Sequence, residues 1–247
     1  MSILVLTRSD DNACVELVAG HLRQMGQQVL RFDTDLYPTE VKVSSDPTGK
    51  TRIRAGSESF DLSEVSAIWY RRFYAGGRLP LELGETREVC VHESRRTLYG
   101  TIAASPAFQL DPLTYVRKAD HKELQLKRAA HFGLTLPRTL FSNDAEEVRE
   151  FFQAENEQMV AKMQSSFALY REGEELVVFT TKITRDQLHE LDRLCYCPMI
   201  FQEFLPKKLD IRATVVGQRV FAAAIDSQKT SVTEVDWRRD GAGTLND

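Results

Sequence analysis

The chain has 247 residues, of which 42% are hydrophobic and 28% charged, and Lys+Arg 32 against Asp+Glu 36 leave a net charge of −4. This is enough apolar mass for two ordinary domains or one large one, and too little positive charge for a nucleic-acid binder that relies on bulk electrostatics. The opening Met1-Ser2-Ile3-Leu4-Val5-Leu6-Thr7 has no basic leader and too short an apolar run for a signal peptide or a membrane span, so the cytoplasm is the expected compartment and no membrane partner is expected.

Ile3 to Thr7 reads as a buried strand. Ser9, Asp10, Asp11 and Asn12 offer helix caps, and Val15, Leu17, Val18 and Leu22 form a helical stripe that ends at Gly26. Val29-Leu30-Arg31-Phe32 is the next strand, which makes a parallel α/β layer. A Rossmann dinucleotide site is excluded, because the turn after the first strand is Arg8-Ser9-Asp10-Asp11. Carboxylates, rather than glycine-opened backbone, would meet a pyrophosphate there. Val41–Val43 and Thr51–Arg54 read as alternating strands around the turn Asp46-Pro47-Thr48-Gly49. Ser66–Tyr70 is a buried strand with Arg71 and Arg72 at its carboxyl end, the end that faces the ligand crevice in open α/β sheets. The pair either meets an anionic substrate or stacks on Tyr70 and Phe73. A helix follows from about Glu85 to Ala104, with His92 on its charged surface.

Leu110-Asp111-Pro112 reads as a hinge. Lys118 to Phe132 is expected to be helical, carries Lys122 and stops at Gly133. Ser142-Asn143-Asp144 caps a helix over 145–154. Lys162 lies in the apolar run Met159–Met163, where an ammonium cannot stay charged and buried without an anion or a route to water. Phe167–Tyr170 against Leu176–Thr180 forms a hairpin turned at Glu172-Gly173-Glu174. After Lys162 the chain lacks the glycines that usually wrap a phosphate, and Ser165 and Ser166 are the candidate substitutes. Thr184 and Gln187 fit a capping box, opening a helix with Leu188 and Leu191 inward and Asp186, Gln187 and Glu190 outward.

Cys14, Cys90, Cys195 and Cys197 are expected to be free, buried thiols, since a lone Cys-Tyr-Cys is a poor metal or redox signature. Ile200–Glu203 runs into the rigid connector Phe204-Leu205-Pro206. Asp210–Val216 and Arg219–Ile225 then form a buried hairpin through Gly217-Gln218, with Asp210, Arg212 and Thr214 on one face. Such a hairpin is either a wall for nucleotide phosphates or an amphipathic pair with Asp210 and Arg212 solvated.

The ordered series of a helix lysine, a strand lysine, a Gln202-Glu203-Phe204-Leu205-Pro206 connector and Asp210-Ile211-Arg212 resembles the ATP-grasp ligases. The longer runs RFDTDLYPTEVKV at 31–43, IWYRRF at 68–73, YCPMIFQEFLPKKLDIR at 196–212 and VDWRR at 235–239 are similar to the microviridin-type (graspetide) peptide maturases of that superfamily, nearest in wording to the ester-forming branch. The resemblance covers essentially the whole chain. It implies an α/β ATP-grasp fold with an α+β lid, in three parts: an N-terminal parallel α/β pre-ATP-grasp domain over 1–112, a central lid domain over 113–198, and the start of a C-terminal domain over 199–247.

What the resemblance implies for function is a ligase that uses ATP and Mg2+ to turn a side-chain carboxylate of a ribosomal precursor peptide into an acyl phosphate. A Thr or Ser hydroxyl, or a Lys amine, then closes a ring. Lys122 and Lys162 would hold phosphate oxygens; Gln202, Glu203, Phe204 and Leu205 would meet the adenine edge; Asp210 would lie toward the ribose or the peptide. Arg212 and Arg238 would meet the transferring phosphoryl group. Asp186, Gln187 and Glu190 would hold the leader segment of a precursor made of leader plus core, and a homodimer is expected. The family's magnesium ligands follow the VDWRR segment, so they are expected beyond Asp247, and Asp226 and Asp236 match none of them. A non-catalytic leader-binding module and a small-molecule ATP-grasp ligase remain the alternatives.

Overall fold

An unbroken apolar run buries both faces of a strand, and β1 (Ser2–Thr7) is such a run: Leu4, Val5 and Leu6 are fully buried. The computed structural model describes residues 1–11, 13–165, 168–171 and 174–239, with backbone alone for 168–171 and 174–176. After β1 come α1 (Ala13–Gln24), β2 (Gln28–Asp33), β3 (Val41–Ser45), β4 (Thr51–Ala55), β5 (Glu58–Asp61), β6 (Val65–Tyr70), α2 (Thr86–Ala104), β7 (Phe108–Leu110) and α3 (Leu113–Ala119). β2-β1-β6-β7 is a parallel sheet, as the opening strand–helix–strand pattern requires, and β3-β4-β5 is an antiparallel one. Leu4, Leu6, Phe32, Ile53, Ile68, Leu98 and Ile102 join both sheets and α2 in one core.

Two local expectations change here. On α1 the buried residues are Val15 and Ala19, whereas Leu17 is 65% exposed, because it lies two residues, or about 200°, round the helix from Val15. β5 has no counterpart in the sequence reading; its Glu58-Ser59-Phe60-Asp61 offers one apolar side chain and so no alternation to detect. Asn12 lies outside the described residues. Ser9 and Asp11, expected as caps, are engaged elsewhere: Ser9 donates to Asp35 and Asp11 accepts from Thr7.

The chain divides into two compact units, Met1–Ala119 and Asp120–Asp247. The second contains α4 (Lys122–His131), β8 (Thr139–Ser142), α5 (Ala145–Ala154), β9 (Met159–Lys162), β10 (Ala168–Arg171), β11 (Glu174–Val177), β12 (Thr181–Lys182), a 3-10 helix (Arg185–Tyr196), β13 (Met199–Glu203), β14 (Asp210–Val216) and β15 (Arg219–Ile225). β12-β9-β13-β8 is an antiparallel sheet, and β10-β11 and β14-β15 are hairpins. Phe152 and Val148 of α5 and Leu191 and Leu194 of the 3-10 helix pack with Phe201 and Met159 on this sheet.

The single helix expected over 118–132 is two helices, α3 and α4, separated where His121 takes an extended backbone (φ −70, ψ 108) and caps the second. α1 and α4 both end at a glycine with positive φ, Gly26 and Gly133, whose chains turn back onto the last helical carbonyls. Asp144 caps α5 by accepting from the Glu146 amide at 2.9 Å, and the Thr184–Gln187 capping box is formed. The β10–β11 hairpin pairs Ala168 with Val177, while Phe167, Glu172 and Gly173, like Ser166, fall outside the described residues.

The β14–β15 hairpin has the expected turn and register, Asp210 opposite Ile225. It is not buried: Ile211, Val215, Val220 and Phe221 are all more than half exposed, because no third strand among the described residues joins it. The cysteines are free, but Cys14, Cys195 and Cys197 are exposed rather than buried. Cys14 lies in the first turn of α1, and the other two leave the 3-10 helix before β13 begins. Among the described residues no helix is long and apolar enough to cross a membrane.

Phe152 is fully buried at the centre of the second core, so Phe152→Ala is expected to lower unfolding free energy by about 3–5 kcal/mol, and loss of the α5 cap in Asp144→Ala by about 1 kcal/mol. Urea titrations followed by circular dichroism measure both.

Candidate active site

β9 ends at Lys162, and its register against β13 sets Lys162 opposite Ile200, with Gln202 two residues along the same face of the neighbouring strand. The Lys162 ammonium donates to the Gln202 side-chain oxygen, and the Gln202 amide nitrogen donates onward to Thr139 Oγ1 at 2.9 Å. Lys162 is one wall of a cavity of about 620 Å³ within the second unit, lined also by Asp120, Lys122, Met163, Gln164, Ser165, Val178, Thr180 and Arg238. These come from the start of α4, the end of β9 and its continuation, the strap between β11 and β12, and the segment after β15. Lys122 reaches Gln125 at 3.4 Å.

Burial pushes the Lys162 ammonium below the ordinary lysine range. Lys207 and Arg238 push it the same way, and Asp236 and Asp210 pull against them. The neutral amide oxygen of Gln202 does not offset that penalty as an anion would. The cavity is therefore short of negative charge at its innermost cation, with two more cations on its walls.

Arg238 is held by Asp236, a carboxylate only 5% exposed. Arg238 Nε donates to Oδ1 at 2.8 Å and Nη2 to Oδ2 at 2.5 Å, and the amides of Arg238 (3.2 Å) and Thr180 (3.0 Å) donate as well. Burial alone would raise the Asp236 pKa; the guanidinium and the two amides override it and hold the carboxyl well below the usual carboxylate range. Phe179 lies under both Arg238 and Arg239, and Arg239 donates to Thr180 O and Thr181 Oγ1 at 2.9 Å.

The other expected site residues are distributed over both units. Gln202 braces Lys162. The Glu203 carboxylate accepts the Arg138 amide at 2.9 Å, its own amide donates to Arg138 O, and the Phe204 amide donates to Gln158 O at 2.8 Å, while Leu205 is half exposed. Asp210 pairs with Lys207 at 2.8 Å, and both act on Lys162. Arg212, by contrast, is exposed on β14 and is not among the residues lining the cavity. Asp186, Gln187 and Glu190 are exposed on the 3-10 helix. Glu190 contacts His189 and Arg193 at 3.1 Å.

In the first unit, Arg71 and Arg72 share Asp11 Oδ2 at 3.4 and 3.0 Å, giving two guanidiniums on one buried carboxylate. Tyr70 and Phe73 stack on each other. Sequence reasoning did not single out Thr180 or Lys207 and set Asp236 aside. Of these only Asp236 left a signal, its Asp-x-Arg spacing to Arg238.

Residues 2–117 match the family described as the MvdD pre-ATP grasp domain. The macrocyclase MdnC of Microcystis aeruginosa MRC, solved with its precursor peptide MdnA, is 44% identical, with a TM-score of 0.85 over 93% of this chain and 76% of that one. The chain belongs to the graspetide-type ATP-grasp peptide maturases. A second member, a Chryseobacterium gregarium RiPP-associated ATP-grasp ligase solved with ADP and a leader and core peptide, is 38% identical with a TM-score of 0.84 over 97% and 73% of the two chains. MdnB, a macrocyclase of Microcystis aeruginosa MRC, is 32% identical with a TM-score of 0.77 over 92% and 75%. Comparison with curated protein sequences finds no match.

The cavity of this graspetide-type maturase fits a polyphosphate, since Lys122, Lys162 and Arg238 line it and its one lining carboxylate is Asp120. Among the described residues no group of three or more His, Cys, Asp or Glu side chains gathers as metal ligands.

Lys162→Met keeps the stem and removes the buried charge. A lowered folded pKa means that the unfolded chain holds an extra proton between that value and the ordinary 10.5, so wild-type stability rises with pH across this window. Lys162→Met is therefore expected to be more stable than wild type at neutral pH without nucleotide, with the gap closing toward pH 10.5. Denaturant titrations at a series of pH values measure it.

Proposed function

We propose that the protein is an ATP-dependent ligase that activates Asp or Glu side chains of a ribosomal precursor peptide as acyl phosphates and closes macrolactone links with Thr or Ser hydroxyls. The observation that carries this reading is the buried, anion-short Lys162 in one cavity with Lys122 and Arg238. Lys122 and Lys162 hold phosphate oxygens, the Gln202–Leu205 connector meets the adenine edge, Asp210 lies toward the ribose or the peptide, and Arg238 meets the transferring group. In this reading Arg212, exposed on β14, meets the transferring group as well.

A carboxylate is inert to a hydroxyl because its leaving group would be oxide. Its oxygen attacks the γ-phosphorus, ADP leaves, and the acyl carbon now carries phosphate as leaving group. The peptide hydroxyl attacks that carbon, the C–O bond to phosphate breaks, and the hydroxyl proton passes to phosphate or solvent. The protein's part is to position the reactants and neutralise charge. Mg2+ is the metal this reading requires, and when bound it would neutralise charge on the phosphates.

Within this reading, residues 1–112 form the pre-ATP-grasp domain, 113–198 the central lid domain and 199–247 belong to the C-terminal ATP-grasp domain, in a cytoplasmic homodimer. The exposed Asp186, Gln187 and Glu190 hold a basic leader. Arg71 and Arg72, with one carboxylate between them, bind an anionic group of the core peptide.

Full-length protein incubated with ATP, Mg2+ and the cognate precursor is expected to remove one water mass from the peptide per ring closed. Lys162→Met should lower nucleotide affinity and turnover at least about 10-fold, the loss of one charged hydrogen-bond donor. Hydroxylamine cleavage of the product distinguishes ester from the amide a Lys amine would give. Leader binding without mass loss supports a binding module instead, and ATP consumption on free amino acids supports a small-molecule ligase. Asp186→Lys with Glu190→Lys is expected to weaken leader binding at least about 10-fold while leaving nucleotide binding unchanged; fluorescence anisotropy of labelled leader reads it.

A further inference from the structure

Asp236 is buried and receives four hydrogen bonds, and the proposed reaction gives it no role. A guanidinium has five N–H donors in a fixed plane. Asp236 takes one edge of Arg238, through Nε and Nη2, which leaves Nη1 and the second Nη2 hydrogen without an acceptor among the described residues. That leftover edge is the shape that grips two phosphate oxygens. The Arg238 side chain is 46% exposed and lines the cavity, whereas its carboxylate partner is 4% exposed. The ion pair thus has a dry side at Asp236 and a wet side toward the cavity. Phe179 lies beneath the guanidinium at 5.9 Å, and the same carboxylate fixes the Thr180 amide in the strap that also lines the cavity. The segment itself is anchored independently of this pair, by Thr233 donating to Ser227 O at 2.7 Å and by Lys207 donating to Val235 O at 3.3 Å.

We propose that Asp236 is a positioning residue: it orients Arg238 so that the free edge of the guanidinium meets the phosphate oxygens of the nucleotide. This rests on the ATP reading above. Asp236 touches neither nucleotide nor peptide and acts through Arg238. Its anionic charge also offsets part of the repulsion that Arg238 exerts on Lys162, which lets two cations share one wall.

The test is a double-mutant cycle on the full-length protein, titrated calorimetrically with a non-hydrolysable ATP analogue, with and without Mg2+. Arg238→Ala is expected to weaken binding by about 10-fold or more, and Asp236→Asn by a similar factor. The double variant should bind no worse than about 2-fold below Arg238→Ala, because Asp236 has nothing left to orient. Additive losses overturn the positioning role, since a carboxylate that only staples the chain would act whether or not Arg238 is present. A loss in Asp236→Asn seen only with Mg2+ also overturns it, by making Asp236 a metal ligand.

If Asp236→Asn unfolds, Arg238→Lys decides. It keeps the charge and removes the oriented edge, so a 10-fold loss supports the proposal and wild-type affinity overturns it. Wild-type protein that binds no nucleotide overturns the ATP reading and the proposal with it, whereas wild-type binding with additive variant losses overturns the positioning role alone.

Discussion

An ammonium at the end of a buried strand is the constraint on which the second unit turns. Lys162 sits where β9, rich in Met, Val and Ala, delivers it, opposite a β13 residue that is itself buried. A lysine there loses water and must recover the loss from a partner. Its hydrogen-bond partner is a neutral amide, and its closest charges are mixed in sign. An uncharged brace fixes where the ammonium points without neutralising it. In the reading proposed above that neutralisation is left to a phosphate group, which offers several oxygens to several donors at once.

The same device, a buried carboxylate holding a guanidinium that reaches toward solvent, recurs in both units. In the first, Asp11 holds Arg71 and Arg72 at the carboxyl end of β6, and Asp35 holds Arg78 at 3.0 Å while accepting the Ser9 hydroxyl and amide. Burial would raise Asp35; Ser9 and Arg78 outweigh it and its pKa is lowered. In the second, Asp236 holds Arg238. A buried ion pair is weak evidence of stability, because the desolvation of both groups opposes their attraction. Its advantage here is geometric. A long, flexible side chain with about 2 kcal/mol of rotamer entropy is fixed before any ligand arrives.

What was legible in the sequence follows from the range of each signal. β1, β6 and α5 were readable because burial imposes an apolar pattern on contiguous residues, and the capping residues Asp144 and Thr184 act on neighbours two or three positions away. Lys162 was singled out by its apolar strand, whereas Lys122, Arg212 and Arg238 were singled out only because their order along the chain resembles a family; Lys122 and Arg238 line one cavity with Lys162 and Arg212 does not. The break between α3 and α4 was missed because both sides have helical composition and the extended His121 leaves no glycine or proline. The hairpin over 210–225 was assigned its turn and register correctly and its burial wrongly. Alternation reports which side chains share a face, and not whether anything covers that face.

The proposed reaction assigns the attack to the peptide rather than to a side chain of the protein. Cys195 and Cys197 are exposed at the end of the 3-10 helix, and neither has a His or carboxylate partner among the described hydrogen bonds; their sulfurs contact backbone carbonyls. A catalytic nucleophile is ordinarily paired with an adjacent base. His92 and His189, the histidines with recorded ion contacts, lie on the surface beside their own neighbours Glu93 and Glu190. Among the described residues the cavity lining gathers Lys122, Lys162 and Arg238 around the single carboxylate Asp120, and includes no Cys or His. That distribution suits a reaction in which both reacting groups belong to the peptide and the energy belongs to the nucleotide. In such a reaction the choice between a hydroxyl and an amine is made by which side chain the peptide presents, not by any residue of the protein that attacks.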